Sequence, residues 1–357
     1  MSNLVVDVCP VKKIRPHPNA DRLEIVEIRG WQCVVPIRHF YLGQLVVYFP
    51  PDTLLSKGWT EYFGVSQYCQ VQDDGKMRIR KTLLRGEPSF GLVVPVEPQW
   101  RRTDNKFNAG DSVIEFFGAE KYEPPMLGQA GDILGGAPEA FHRFTEIENL
   151  RNWPDILWEG EEVIITEKIH GTCCRIGAVD GVIYAGSKNH ARKMPDTVEE
   201  MRRNFYWFPY ILPHIKEFLS IHTNIIDSLV GLNTVTLFGE TYGKVQNLRY
   251  GRKDLAFRCF GLSYNGKYMD YDDRISLCKA WGIPTVPEVY RGPFDLDKMI
   301  ELADGKTLAE DVDQVREGIV IQPVKERTDP RIGRVILKCV GTEYLASKHS
   351  DKDTTDI

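Results

Sequence analysis

A short lysine motif and five segments that follow it in a fixed order constrain this chain more than any other feature. The motif is residues 167–172, EKIHGT. A lysine followed closely by glycine is common by chance, so the companions carry the specificity. They are residues 187–189 (SKN), 238–240 (FGE), 257–260 (FRCF), 317–321 (EGIVI) and 335–338 (VILK). Glu240 and Glu317 each border an apolar run, which predicts that both carboxylates lie at strand ends facing a cleft.

The length of the chain predicts two domains, because single cores rarely outgrow about 250 residues. Residues 1–118 contain short β-branched and aromatic runs bounded by Gly, Pro and Asp, a pattern typical of a small barrel such as the five-stranded OB-fold. Residues 119–142 are rich in Gly and Pro and are interpreted as a linker. The second domain is predicted over 143–346, and 347–357 should form a flexible tail.

Within the second domain, strands are expected to alternate with helical stretches. Residues 196–222 carry Phe, Trp, Ile and Leu at roughly helical spacing, which predicts packed helices inserted between strands. We expect the aromatic side chains of this stretch to lie in the core rather than to stack on bases.

The order of the motifs resembles that of the covalent nucleotidyltransferases, which include ATP-dependent RNA ligases, DNA ligases and mRNA capping enzymes. The segments EKIHGT, LFGE and EGIVI are most similar in sequence to those of the nick-sealing RNA ligases of phage and of RNA editing. The resemblance covers residues 145–346. The resemblance implies an α+β protein. Its N-terminal β-barrel of the OB-fold type would precede a mixed α/β adenylyltransferase domain of the ATP-grasp-like nucleotidyltransferase class.

The same resemblance implies roles for individual side chains. Lys168 would be the nucleophile and Lys338 a second catalytic cation, while Glu240 and Glu317 would hold Mg²⁺ or Mn²⁺. The residues implied in binding ATP are Glu167, His170, Gly171, Arg151, Lys188, Phe260 and Arg334. Among these, Phe260 would stack on adenine and Arg151 would face phosphate. An ordinary surface salt bridge is the alternative for Arg151.

Two positions depart from the wider family. Many relatives have Asp where His170 stands, and histidine there is typical of the phage and editing RNA ligases. The last motif usually carries two lysines separated by one residue, but here those positions are Ile336 and Lys338. Either Arg334 substitutes for the missing cation, or Lys338 alone serves the α-phosphate.

Lysine chemistry explains why cations should surround the nucleophile. A lysine amine has a reference pKa of about 10.4, so it must lose its proton before it can attack phosphorus. Nearby positive charge, from a metal ion, Lys338 and the basic residues around the triphosphate, disfavours the ammonium form. The same charges stabilise the phosphoryl oxygens in the transition state.

The first domain contains a basic strip over residues 76–85, with five cations and no acid. Arg78, Arg80 and Lys81 are predicted to contact nucleic acid there, although a solvated face is the alternative. Residues 15–25, RPHPNADRLEI, resemble the start of tRNA-binding OB modules. Pro, Asn and Asp could equally form a simple turn at this place.

Composition narrows the class of protein. The net charge of −5 argues mildly against a nucleic-acid partner, but the distribution of charge matters more than its sum. The eight cysteines form no C-x-x-C pair, so they are expected to be reduced and not to bind zinc.

Cys173 and Cys174 follow the lysine motif directly. They are either buried residues of a strand or, as the alternative, one of them is a catalytic thiol. Without a signal-peptide pattern or a long apolar run, a cytoplasmic, monomeric protein with no membrane partner is expected.

The sequence thus predicts an ATP-dependent RNA ligase. Lys168 would take AMP from ATP, pass it to an RNA or DNA 5′-phosphate, and a ribose 3′-hydroxyl would displace it to seal the break. Its partner would be RNA or a nicked duplex with 3′-hydroxyl and 5′-phosphate ends. A GTP-dependent capping guanylyltransferase is one alternative, weakened because few residues follow the last motif. A non-catalytic RNA- or tRNA-binding protein is the other.

Overall fold

Short β-branched runs separated by turn residues form strands in both halves of the chain. The computed structural model describes residues 4–100, 107–123, 133–225 and 234–347. These residues divide into two compact units. One holds 4–100, 107–123 and 148–154, and the other holds 133–147, 155–225 and 234–347. Part of the predicted linker (124–132) and nearly all of the predicted tail (348–357) lie outside the described residues, so both assignments stay predictions.

The N-terminal unit is built almost entirely of short strands. They are β1 (Asp7–Pro10), β2 (Lys13–Pro16), β3 (Leu23–Ile28), β4 (Trp31–Pro36), β5 (Leu45–Phe49), β6 (Thr53–Leu55), β7 (Gln70–Val71), β8 (Met77–Arg78), β9 (Lys81–Leu84), β10 (Glu87–Phe90), β11 (Leu92–Pro95), β12 (Glu120–Lys121) and β13 (Glu148–Asn149). Its helices are α1 (Lys57–Tyr62) and α2 (Ile114–Phe117), with 3₁₀ turns at Ser66–Tyr68 and Pro98–Trp100. The strands pair in the orders β1–β5–β11, β2–β3–β4, β9–β10 and β12–β6–β8–β7.

The core of this unit is dense in aromatic rings. Trp59 lies edge-on to Phe117, with ring centroids 4.8 Å apart, and Phe49 contacts the same ring at 5.0 Å. Val8 and Val47, which face each other across β1 and β5, are fully buried beneath them. Aromatic pairs of this geometry add to the free energy gained from burial alone.

The second unit carries longer strands. They are β14 (Glu162–Lys168), β15 (Thr172–Val179), β16 (Val182–Ser187), β17 (Ala191–Arg192), β18 (Thr234–Gly243), β19 (Leu255–Tyr264), β20 (Lys267–Tyr268), β21 (Glu288–Pro293), β22 (Gly318–Pro323), β23 (Thr328–Asp329), β24 (Gly333–Arg334) and β25 (Leu337–Val340). Its helices are α3 (Val198–Arg203), α4 (Pro213–Ile225), α5 (Tyr271–Ala280), α6 (Leu296–Leu302) and α7 (Thr342–Ala346), with a 3₁₀ turn at Phe208–Ile211. Within this unit the strands form two antiparallel arrays, β17–β16–β15–β18–β19–β20 and β25–β22–β14–β21, beside the β23–β24 pair.

Helices cover one face of the larger array. Ile215, Phe218 and Leu219 of α4 are fully buried and pack with Ile176 of β15 and Leu237 of β18. The prediction of packed helices over 196–222 is therefore confirmed, as is the core position of several of its aromatic rings. Side chains alternate across a strand, so the opposite face presents Phe238 and Glu240. The candidate site residue Glu240 therefore lies on the face opposite the helices. The mixture of helices and antiparallel sheets confirms the predicted α+β class.

The basic strip differs from its prediction at Arg78. This side chain is only 5% exposed, and its Nε donates to Asp52 Oδ1 at 2.7 Å while its guanidinium lies over the Tyr122 ring. Arg78 therefore does not face solvent, because β8 turns it toward a buried carboxylate. Arg80 is exposed and Lys81 is half-buried, so the nucleic-acid role stays a prediction for those two.

Among the described residues, no helix combines the length and the apolar character that crossing a membrane would require.

The Arg78–Asp52 pair generates a stability prediction. Burial raises the pKa of Asp52 even though Arg78 opposes that shift, so Asp52 depends on its partner to stay charged. Arg78→Ala should lower the free energy of unfolding by about 3–5 kcal/mol, since it leaves a buried carboxylate uncompensated. Arg80→Ala, two residues away and exposed, should change it by about 0.5 kcal/mol or less. Urea unfolding of both full-length variants checks this, and equal losses would contradict it.

Candidate active site

The lysine of the 167–172 motif ends a strand and meets a buried carboxylate. In the pairing of β14 with β22, Lys168 stands opposite Gly318, so Glu317 lies next to the lysine. Lys168 Nζ donates to Glu317 Oε1 at 2.5 Å. The Glu317 side chain is fully buried and that of Lys168 is 16% exposed. The register of two strands thus brings together residues that are far apart in sequence.

Gly318 of β22 allows β25, the strand that pairs with β22 on its other side, to come close. A Cβ at this position would lie 2.3 Å from the backbone oxygen of Cys339 on β25. Lys338 precedes Cys339 and pairs with Val320, which in turn pairs with Thr166. Directly paired residues share a face, and Thr166 and Lys168 are two apart on one strand. Lys338 and Lys168 therefore share one face of the sheet, while their joint action on one phosphate stays a prediction.

His170 is buried and held at several points. Its backbone N–H donates to the Tyr250 hydroxyl at 2.7 Å. Its ring Nδ1 lies 3.5 Å from Glu317 Oε2 and 3.4 Å from the Tyr344 hydroxyl. His170 therefore lies beside the same carboxylate that Lys168 contacts.

Gly171 explains how the second carboxylate comes to this place. A Cβ there would lie 2.3 Å from the Thr241 carbonyl oxygen and 3.0 Å from Glu240 Cγ. Only glycine lets the chain pass so close to β18. Glu240, which was predicted at a strand end, lies within β18, and the lysine motif runs directly beside it.

Glu167 supports the site rather than opening toward it. Its carboxylate accepts hydrogen bonds from the Thr307 hydroxyl at 2.5 Å and from the Leu308 backbone N–H at 2.6 Å. Its own N–H donates to the Pro287 carbonyl oxygen. Burial raises the pKa of Glu167, and the bonds from Thr307 and Leu308 oppose that shift. The predicted use of its backbone to read adenine stays a prediction.

The segment 303–316, between α6 and β22, makes further contacts around the motif. The Ala309 carbonyl oxygen accepts a hydrogen bond from Arg258, which stands opposite Glu240 on β19. Gln314 Oε1 accepts from the backbone N–H of Tyr250 at 2.9 Å. Thr307, Gln314 and Tyr250 lie outside the quoted motifs, and sequence reasoning missed all three.

An apolar wall lies on the same side of the larger array. Phe144, Phe238 and Ile336 are buried together, with Phe260 and Val320 packed against them. The register of β18 with β19 passes from Phe238↔Gly261 to Gly239↔Cys259, which leaves Phe260 as the extra residue of a β-bulge. Bulges redirect a side chain and often border active sites. Ile336, which occupies the position where the last motif was expected to carry a second lysine, contributes to this wall.

Two of the predicted ATP-binding cations are paired with carboxylates. Arg334 donates through Nε and Nη2 to Glu326, at 2.6 and 2.5 Å, and its guanidinium lies 3.8 Å from the Tyr268 ring centroid. Lys188 Nζ donates to Glu146 Oε2 at 2.5 Å. Both are near protein acids in this structure, so their roles toward ATP stay predictions.

Arg151 belongs to the N-terminal unit by its contacts. It is 1% exposed, donates from Nε to the Gly30 carbonyl oxygen at 3.1 Å, and lies 4.4 Å from the Trp31 ring centroid. It is therefore not the exposed salt bridge that was the alternative. The phosphate contact stays a prediction.

The acidic side chains suit a metal ion that keeps most of its waters. In the part of the chain that the structure describes, no three His, Cys, Asp or Glu side chains form a ligand group. Mg²⁺ typically uses one or two carboxylates, with waters and substrate phosphates filling the other positions. Glu240 and Glu317, one on each side of the lysine motif, fit that pattern.

Comparison with known proteins agrees with the site. The RNA ligase family model matches residues 161–340, which is just over half of the chain. An OB-fold domain model matches residues 5–96. The chain therefore belongs to the RNA ligase family, and its N-terminal domain is an OB-fold domain.

Solved structures share the fold. An RNA ligase of Naegleria gruberi with PPi is 24% identical and has a TM-score of 0.71, covering 96% of this chain and 98% of that one. A mutant of that ligase with AMP and Mn is also 24% identical, with a TM-score of 0.72 and the same coverage.

A curated relative is known only as an uncharacterized protein of Methanocaldococcus jannaschii. It is 24% identical over 182 residues, which are 48% of this chain. This chain spans 40% of the length of that relative.

The environment of Cys173 argues against the catalytic-thiol alternative. Burial raises the pKa of Cys173 to about 12, and Glu240, which pairs with it across the sheet, adds to the shift. The thiolate is the reactive form, so the proton is retained throughout the neutral range.

Alkylation should show this directly. A pKa raised from 9.0 to about 12 lowers the thiolate fraction at pH 8 about a thousandfold, and higher nucleophilicity recovers only about half of that on a logarithmic scale. Iodoacetamide should therefore modify native Cys173 roughly thirtyfold or more slowly than the unfolded chain, with the rate rising as pH climbs toward 12. Mass spectrometry of the peptide checks this, and rapid modification at pH 7 would contradict it.

Proposed function

We propose that this protein is an ATP-dependent RNA ligase of the phosphodiester-forming type that works through a covalent lysyl-AMP. The observation that carries the proposal is the contact of Lys168 with buried Glu317, with Lys338 on the same face of the sheet. A non-catalytic RNA-binding function would not explain why two lysines and two carboxylates lie around the motif. These residues are Lys168, Lys338, Glu240 and Glu317.

In the first step, the Lys168 amine attacks the α-phosphorus of ATP. A bond forms between Nζ and phosphorus, the bond to the β-phosphate oxygen breaks, and pyrophosphate leaves. Lys338 supplies positive charge that disfavours the ammonium form of its neighbour and stabilises the developing charge on phosphoryl oxygens. The Naegleria gruberi ligase has been solved with ATP and Mn and with PPi, which supports the same donor here.

In the second step, an RNA or DNA 5′-phosphate oxygen attacks the phosphorus of lysyl-AMP, and Lys168 leaves. In the third, a ribose 3′-hydroxyl attacks the activated 5′-phosphate and AMP leaves. A divalent cation held by Glu240 and Glu317 would neutralise charge on phosphoryl oxygens in these transfers. The apolar wall of Phe144, Phe238 and Phe260 offers adenine a surface to pack against.

The remaining assignments are part of the proposal. The domain limits are 1–118, 119–142 and 143–346, with a tail at 347–357. The substrate is RNA, or a nicked duplex, with 3′-hydroxyl and 5′-phosphate ends. A cytoplasmic monomer stays a prediction.

Covalent labelling tests the nucleophile. Incubation with α-labelled ATP and Mg²⁺ or Mn²⁺ should label the wild-type chain, and Lys168→Ala should abolish the label, because no other lysine stands in this motif. Lys279→Ala, on the exposed side of α5, should label as the wild type does. α-Labelled GTP in a parallel reaction separates the ligase from the capping guanylyltransferase. Full labelling of Lys168→Ala would end the proposal.

Tyr250 gives a second test, because its hydroxyl satisfies the buried N–H of His170 two residues from the nucleophile. Tyr250→Phe leaves that N–H unpaired at a cost of about 1–3 kcal/mol, which would shift the motif. We expect the maximal rate of lysyl-AMP formation to fall about tenfold, with little change in the half-saturating ATP concentration.

Tyr264→Phe is the matched control. It also removes one hydrogen-bonded hydroxyl, but that hydroxyl is part-buried and bonds His222 of α4 rather than a residue of the site. Single-turnover labelling over a range of ATP concentrations, with thermal unfolding in parallel, measures both variants. Equal rates for the two would show that Tyr250 does not position the nucleophile.

A further inference from the structure

A groove in the N-terminal unit lies apart from every residue given a role toward ATP. It opens between β4, the end of α1, the two residues that follow β8, and strands β9 to β11. Its volume is about 780 Å³, within the range of about 300–1,000 Å³ that ligand sites occupy. Its floor is apolar and includes Cys33 and Ile79, which are 2% and 3% exposed.

Aromatic side chains stand at the rim of this groove. Tyr62 and Tyr68 are 52% and 51% exposed. The Tyr62 ring lies edge-on to Trp59, with centroids 5.8 Å apart, and its hydroxyl donates to Glu97. The Tyr62 ring is thus held in place while much of it stays open to solvent.

Two exposed cations also border the groove. Arg80 and Arg85 line it and are exposed, and neither makes an ion pair with a described residue. Lys76, by contrast, is paired with Glu120 and Asp74, and Arg78 is buried. Glu97 also lines the groove, and its carboxylate keeps its negative charge while it accepts a hydrogen bond from the Tyr62 hydroxyl. The two arginines outnumber this one acid, so the summed charge of Arg80, Arg85 and Glu97 is positive.

We propose that this groove binds unpaired nucleotides of the RNA substrate. A base would rest on the apolar floor against Tyr62 or Tyr68, and neighbouring phosphates would meet Arg80 and Arg85. Bases inside a duplex are stacked on one another and cannot offer their faces to such a floor, so the occupant is single-stranded. The inference rests on the proposed function, because it supplies the reason for RNA to be present.

Binding of an unreactive RNA tests the groove separately from catalysis. The probe is a fluorescent oligouridylate with a 5′-hydroxyl, without ATP, titrated with the full chain and followed by fluorescence anisotropy. The double variant Tyr62→Ala/Tyr68→Ala should weaken binding about tenfold or more through lost stacking. Tyr62→Phe/Tyr68→Phe keeps both rings and should bind as the wild type does. A duplex of equal length should be little affected by either change.

Controls separate stacking from charge. Tyr41→Ala removes a tyrosine that is 69% exposed but does not line the groove, and its binding should be unchanged. Arg80→Gln/Arg85→Gln should lower the slope of log affinity against log salt by about 1.4, since each phosphate contact on a single strand contributes about 0.7. The tyrosine variants should keep the wild-type slope. Thermal unfolding reports whether each variant is folded, and Tyr68→Ala alone serves if the double variant is not.

Two results would overturn the proposal. One is wild-type affinity of the Tyr→Ala variants for the oligouridylate, which would leave the groove to another class of ligand. The other is equal weakening by the Ala and Phe pairs, which would mean that the hydroxyls and not the rings matter. Lysyl-AMP formation by the wild-type chain is measured apart from these titrations. Its absence would remove the ligase function while the groove result still stood.

Discussion

The contact between Lys168 and Glu317 is the interaction on which the rest of the candidate site depends. A fully buried carboxylate is costly unless a cation neutralises it, and the Lys168 amine lies 2.5 Å from one Glu317 oxygen, with His170 Nδ1 3.5 Å from the other. The pairing of β14 with β22 fixes this meeting, and a slip of one residue would turn Lys168 to the opposite face. β25 then adds Lys338 through the same network of backbone hydrogen bonds. The site is therefore as rigid as the sheet that carries it.

That contact also poses the chemical problem that the proposed reaction must solve. An amine held in an ion pair is an ammonium and cannot attack phosphorus. Positive charge that engages Glu317 would weaken its hold on the proton of Lys168, and Lys338 acts in the same direction. Arrival of ATP with its cation would then both supply the electrophile and release the nucleophile.

The sequence predicted the parts of the fold that depend on local pattern. The β-rich first domain, the helices over 196–222 and the strands that carry the motifs all follow from periodicity and turn residues. Burial of single polar side chains did not follow, because it depends on strand pairs that distant segments complete. Arg78 and Arg80 are two residues apart, a spacing that predicts one shared solvent face. Asp52, brought close by the pairing of β6 with β8, holds Arg78 in the core instead. Thr307 and Tyr250 lie in connecting segments without a pattern, so nothing in the sequence distinguishes them from other loop residues.

Those loop residues explain why a nucleophile on a strand end can be positioned accurately. The last residues of a strand lose backbone partners on one side and would otherwise fray. Here the segment 303–316 supplies other hydrogen-bond partners for the residues around the strand end. Thr307 and Leu308 donate hydrogen bonds to the carboxylate of Glu167. Gln314 accepts a hydrogen bond from the backbone N–H of Tyr250, and the Tyr250 hydroxyl accepts one from the backbone N–H of His170. Residues on both sides of Lys168 are thereby fixed to one segment, while the lysine side chain itself stays partly exposed. The backbone is held and the amine is left accessible, which is what covalent attack on a bound nucleotide requires.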